Sequence, residues 1–153
     1  MVTVYTLFKF LHIVGAIGWL GGFLAFSIIS TRSAREKDPA VLAAMEQLMR
    51  ANGMFVIGPA SGLTLLAGMV MLAVSNLGAP LWVIWGLAAI VVSLALGIAL
   101  IGPTNRKLHA AITAASPDEA RLYALRQRLV VFNSLNLLVL LSAVWAMVTK
   151  PSL

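Results

Sequence analysis

Lys9 and His12 stand one helical turn apart inside FKFLHIVGAIGWLGGFLAF, an otherwise apolar run. A titratable side chain at membrane depth is costly, so it marks a site or at least a partner. Three residues after His12 comes Gly15, which puts the imidazole on the small-residue face of its helix and directs it toward neighbouring helices. Counted from Val4 at 1.5 Å per residue, His12 lies roughly 12 Å inside the apolar layer.

An imidazole in that place can act in three ways. It can hydrogen-bond a neighbouring helix, where Ser93 and Ser142 stand at similar depth. It can ligate a metal, with haem b iron the leading candidate. It can relay protons. Lys9, near the outer interface, can snorkel outward or meet a carboxylate of a ligand that His12 holds. Met69 stands at matching depth on the second apolar run, as core packing or as an opposing axial ligand. Met69, Met71 and His12 are also the soft donors that a copper-related function would need. His109 follows Asn105-Arg106-Lys107, past the end of the third apolar run. It cannot share one haem with His12, and a lipid headgroup is its expected contact. Asn133 and Asn136, with Ser61 at similar depth, can bridge helices or satisfy backbone groups freed by Pro59.

Several chemistries are excluded. The chain has no cysteine, so disulfides, thiolate metal sites and cysteine nucleophiles are absent. All five acids (Glu36, Asp38, Glu46, Asp118, Glu119) fall outside the apolar runs, which argues against cation-driven transport through an intramembrane carboxylate. There is no phosphate loop, no HExxH and no nucleophile–base pair.

The elements that must position these residues are membrane helices. Of 153 residues, 61% are apolar and 10% charged, against about 25% charged in soluble domains. Four runs, near 4–29, 54–74, 80–101 and 129–148, are long enough to cross a bilayer, which takes roughly 20 residues. The expectation is an all-α polytopic membrane protein, a single four-helix transmembrane domain over residues 1–153. The net charge of +6 does not indicate nucleic acid. Nine of the eleven basic residues lie in the first and third connections, between Arg32 and Arg50 and between Arg106 and Arg128. The positive-inside rule then places both long connections in the cytoplasm and both termini outside, with anionic lipid headgroups as partners. The first run lacks a basic leader and a cleavage site, and reads as a retained helix.

Asp38-Pro39 begins one amphipathic stretch, and Ser116-Pro117-Asp118-Glu119 begins the other, with Ser116 as cap and Glu119 capping back. This order suggests a weak two-helix repeat, although IGPASG in the second run and IGPTNR after the third are not in equivalent places. Gly15, Gly18, Gly22 and Ala25 form a small-residue seam on the first helix. Gly58 and Gly62 do so on the second, and Gly86, Ala89, Ser93 and Gly97 on the third. Such seams let membrane helices approach closely, within the chain or in a homodimer. Trp82, Trp85, Trp145 and Tyr5 form an aromatic belt at the outer end.

The run FKFLHIVGAIGWLGG, with Arg32 beyond it, resembles the first helix of HemJ-type protoporphyrinogen oxidases. MEQLMRANGMFVIGPASG resembles their second-helix lead-in, and LRQRLVVFNSLNLL with the terminal Lys150-Pro151 resembles their last helix. The chain is closer still to small four-helix bacterial membrane proteins of unassigned function, distantly grouped with HemJ-like and CopD-like copper-resistance proteins. The resemblance implies a multi-pass protein of the bacterial inner membrane in which His12 binds haem b and Asn136 belongs to the site. It also implies loss of the oxidase activity. The family's third-helix lysine has no counterpart between Pro80 and Pro103, and Leu137 replaces the acid after the last-helix asparagine.

Overall fold

A computed structural model describes residues 3–75, 78, 80–114 and 118–151, and every element in it is helical. α1 spans Val4–Ser33. α2 (Pro39–Asn52) runs through a π-helical turn at Gly53–Ile57 into α3 (Gly58–Val74). α4 (Leu81–Leu96) runs through a second π-turn at Gly97–Ile101 into α5 (Gly102–Ile112), and α6 spans Glu119–Thr149. The result is four continuous helices long and apolar enough to cross a membrane: Val4–Ser33, Pro39–Val74, Leu81–Ile112 and Glu119–Thr149. They extend beyond the apolar runs at the end that carries the basic residues. The amphipathic lead-ins are therefore not separate helices but extensions of the spans.

The helix starts follow capping chemistry. The Asp38 carboxylate accepts from the Ala40 N–H, with Pro39 in the first turn. At α6 the cap is Asp118, which accepts from the N–H groups of Ala120 and Arg121. The N-cap of α6 is thus Asp118, with Glu119 the first helical residue, where a capping box of Ser116 and Glu119 was expected; Ser116 and Pro117 lie outside the described residues. Aspartate is as good a cap as serine, and it stands next to the first helical residue.

Both π-turns are followed by Gly-Pro. Proline has no N–H and its ring crowds the carbonyl four residues back, so the α ladder cannot continue through it. The glycine before each proline instead reaches back five residues, Gly58 to the Gly53 carbonyl and Gly102 to the Gly97 carbonyl. A Cβ at Gly58 would stand 3.3 Å from the Gly53 oxygen, and one at Gly102 3.1 Å from the Gly97 oxygen. IGPASG and IGPTNR are therefore one local structure used twice, on helices of opposite direction.

α1 and α6 form the central antiparallel pair. α3 packs on the other flank of α1 and α4 on the other flank of α6, while α3 and α4 do not approach each other closely among the described residues. The apolar core is built on Trp19, Phe23, Leu129 and Leu140, with Ile57, Ala60 and Ile90 packed against it. Gly15 and Gly18 make the α1–α3 contact, and Gly22 meets the π-turn that leads into α3. A Cβ at Gly15 would stand 2.6 Å from Thr64 Oγ1, at Gly18 3.2 Å from Ala60 Cβ, and at Gly22 2.8 Å from Ile57 Cγ1. On α3 the facing series is Ala60, Thr64, Ala67 and Gly68 rather than Gly58 and Gly62, because Gly58 belongs to the π-turn and Gly62 has nothing within 4 Å. On α4, Gly86 receives Met147 of α6, and Ala89 and Ser93 are buried; Gly97 again serves its π-turn.

Candidate functional site

His12 lies on the inner stripe of α1 with Gly15, Trp19, Phe23, Phe26 and Ser30, all buried, and its own ring is half-buried. Its Nδ1 is 2.8 Å from the backbone carbonyl oxygen of Thr64. A carbonyl can only accept, so Nδ1 carries the proton. In that tautomer the lone pair lies on Nε2, which makes no hydrogen bond among the described residues. The acceptor is not Ser93 or Ser142, the expected partners. Ser93 is on α4, away from α1, and Ser142 instead accepts from Trp85 Nε1 at 3.2 Å. The ring reaches the Thr64 carbonyl over Gly68, where a Cβ would stand 3.1 Å from its Cε1 and Nδ1. Thr64 and Gly68 are the two site residues that sequence reasoning missed. Small residues at 60, 64 and 68 were the available signal.

The other expected site residues do not gather around this ring. Lys9, one turn nearer the amino terminus, is exposed. Met69 follows Gly68 but is turned about 100° further round α3 and is 46% exposed. Asn136 is fully buried, in another layer. Asn133 donates from Nδ2 to Ser30 Oγ at 3.2 Å, and Ser30 Oγ in turn donates to Met49 Sδ at 3.5 Å. α1 and α6 are antiparallel, so Asn136 stands level with the turn of Ser27. That is fifteen residues from His12, about 22 Å along α1. Neither asparagine reaches the backbone around Pro59.

At the basic end His109, half exposed, has a partner within the chain. Its Nδ1 stands 2.6 Å from Glu46 Oε1, joining α5 to α2, and Arg50 approaches the same carboxylate at 3.9 Å. Arg126, on the buried stripe of α6, is only 7% exposed and has no ion pair among the described residues. At the far end Lys150 lies over the Trp82 ring, 5.6 Å from its centroid. There a shallow groove of about 330 Å³ is lined by Trp85, Ser142, Trp145 and Pro151. No cluster of three or more acidic, histidine or cysteine ligands forms among the described residues.

Four long apolar helices, an interior stripe with one histidine, and nine of the eleven basic residues with all five acids at one end define a multi-pass integral membrane protein. The family model described as a predicted integral membrane protein, DUF2269, matches residues 6–151, and the chain belongs to that family. No curated protein and no solved structure matches it.

Proposed function

We propose that this is a membrane haem protein in which His12 would hold the iron through Nε2. The observation that carries the reading is the Nδ1–H bond to the Thr64 carbonyl. Ligating histidines characteristically donate the other ring N–H to a carbonyl or carboxylate, which fixes tautomer and orientation. Here that acceptor belongs to the helix backbone, and Gly68 leaves the space for it. Of the donors named, His12 alone would hold the iron: Met69 is turned away and Asn136 stands in another layer. Lys9 is exposed one turn from the ring and can meet a propionate. Bound haem would supply one-electron chemistry; the chain's part is to hold the iron and set access to it. The likeness of span one to the HemJ helix supports the reading, and the same reading places the protein in a bacterial inner membrane with anionic lipid around the basic end. The missing third-helix lysine argues for a haem site without the oxidase reaction.

One observation favours a rival. The same hydrogen bond satisfies the histidine without any ligand, and a purely structural bundle would look alike at Thr64. An absorption spectrum separates the two. Protein from haem-replete cells should show a Soret band that His12→Ala abolishes and His109→Ala leaves intact. A colourless protein that takes up no added haem overturns the proposal.

A further inference from the structure

The buried stripe of α6 carries polar groups that the described residues do not satisfy. Asn133 and Asn136 are both 0% exposed. Asn133 uses Nδ2 on Ser30, while its Oδ1 and both polar atoms of Asn136 have no partner among the described residues. Ser93 of α4, 4% exposed, stands at the same level on the other flank of α6. The Trp85–Ser142 bond fixes the register of the antiparallel pair α4 and α6, and eight residues on from Trp85 meets eight residues back from Ser142. Burying an amide without hydrogen bonds is strongly unfavourable, more so in a hydrocarbon setting with no alternative donor. Three unpaired atoms in two adjacent turns of one helix therefore point to a guest.

The chemistry of the layer selects that guest. It must donate to two amide oxygens and accept from an amide N–H₂ group. A cation lacks the acceptor, and every acid of the chain is outside the apolar runs. An anion lacks the donors, and the nearest cation on this face, Arg126, stands about 10 Å along the axis from Asn133. Asn133 and Asn136 are closed off from solvent on every side, which limits the guest to a small one. Water is neutral, small, and both donor and acceptor.

We propose that α6, packed against α1, holds an ordered water site between Asn133 and Asn136. The water completes the hydrogen bonds of both amides and ties the central helix pair together within the membrane. The site is independent of the haem reading, since His12 lies about 22 Å away along α1.

The test uses the full chain in bilayer nanodiscs, labelled with ¹⁵N-asparagine, and water-edited solid-state NMR. Asn136→Leu and Asn133→Leu assign the side-chain signals. Magnetisation from water should build up at the Asn136 Nδ2 group about as fast as at Asn105, near the basic end. Transfer from lipid chains with none from water would mean a dry amide and overturn the proposal. Stability gives a second readout. Asn136→Leu, similar in shape but without hydrogen bonding, should lower the midpoint of unfolding in SDS. Asn136→Ser, which can still hold water, should fall between it and the parent. A raised midpoint for Asn136→Leu would show that the amide was unpaired, and the site would be withdrawn.

Discussion

At His12 the sequence shows the face but not the partner. The face follows from spacing, because Gly15, Trp19 and Phe23 repeat on the same stripe. The partner is a main-chain oxygen, which leaves no mark in the residue pattern, and it is usable only because Gly68 has no side chain. Gly68→Val should therefore displace the ring while keeping the histidine, and in haem-loaded protein the Soret band should weaken or shift without disappearing. The glycines of α1 give a matched pair of expectations. Gly15→Ala puts a methyl 2.6 Å from Thr64 Oγ1 and 2.9 Å from the Thr64 nitrogen, so α1 and α3 must separate. The expected loss is about 1–3 kcal/mol, the usual cost of overpacking. Gly21 has nothing within 4 Å, and Gly21→Ala should be neutral or gain up to about 1 kcal/mol in helix propensity. SDS unfolding midpoints of the two variants check both signs. The asparagines were legible as buried polar groups, but which of them would find a partner depended on the α1–α6 register, which no single-chain pattern encodes.

Among the elements, the π-turns show where sequence reasoning stops. Gly-Pro inside an apolar run announces a lost hydrogen bond, yet it does not say whether the helix kinks or admits an extra residue. Here the extra residue turns α2 so that Met49 is buried against Ser30 and Asn52 Nδ2 donates to the Gly22 carbonyl at 2.8 Å. Gly102→Val should destabilise more than Gly58→Val, because its Cβ stands closer to the carbonyl it crowds; SDS unfolding ranks the two. The α1–α2 turn carries the pH-sensitive element. Glu36 Oε1 accepts from the N–H groups of Asp38 and Lys37 at 2.9 and 2.8 Å, and these bonds hold its carboxyl below the ordinary value of 4.5. A depressed folded-state pKa favours the folded turn above the unfolded pKa and loses that support as pH falls through the lower, folded value. Amide exchange at Lys37 and Asp38 should therefore stay slow at and above pH 4.5 and quicken, relative to intrinsic rates, in stronger acid. Equal protection across that range would show that the carboxylate does not hold the turn.

For the whole molecule, composition and charge placement made the membrane class and the number of helices legible, while the lateral order of the helices was not. The seams identified surfaces that could approach, but several were ambiguous. Gly15 and Gly18 are occupied by α3 and Gly22 by the π-turn before it, within the same chain, so the small residues left for contact between copies include Gly21, Gly62 and Gly97. The order α3–α1–α6–α4 separates α3 from α4, which are consecutive in sequence, and a short connection alone would suggest the opposite. Disulfide trapping tests this order without interference, since the natural chain has no cysteine. Gly18 and Ala60 have Cβ positions 3.2 Å apart, near the 3.5–4.5 Å of real disulfides, so Gly18→Cys with Ala60→Cys should close on mild oxidation. Leu66→Cys with Val91→Cys, on exposed faces of α3 and α4, should stay reduced within one chain. Intact mass after denaturing alkylation distinguishes the outcomes, and an internal Leu66–Val91 link would mean that the second and third spans are neighbours after all. The same variants report orientation. Nine of the eleven basic residues share one end with His109 and Glu46, so that end should face the cytoplasm. Single cysteines at exposed Thr3 and Lys150 should then react with an impermeant maleimide on intact cells, while one at exposed Lys107 should react only after permeabilisation. Labelling of Lys107→Cys in intact cells would reverse the orientation.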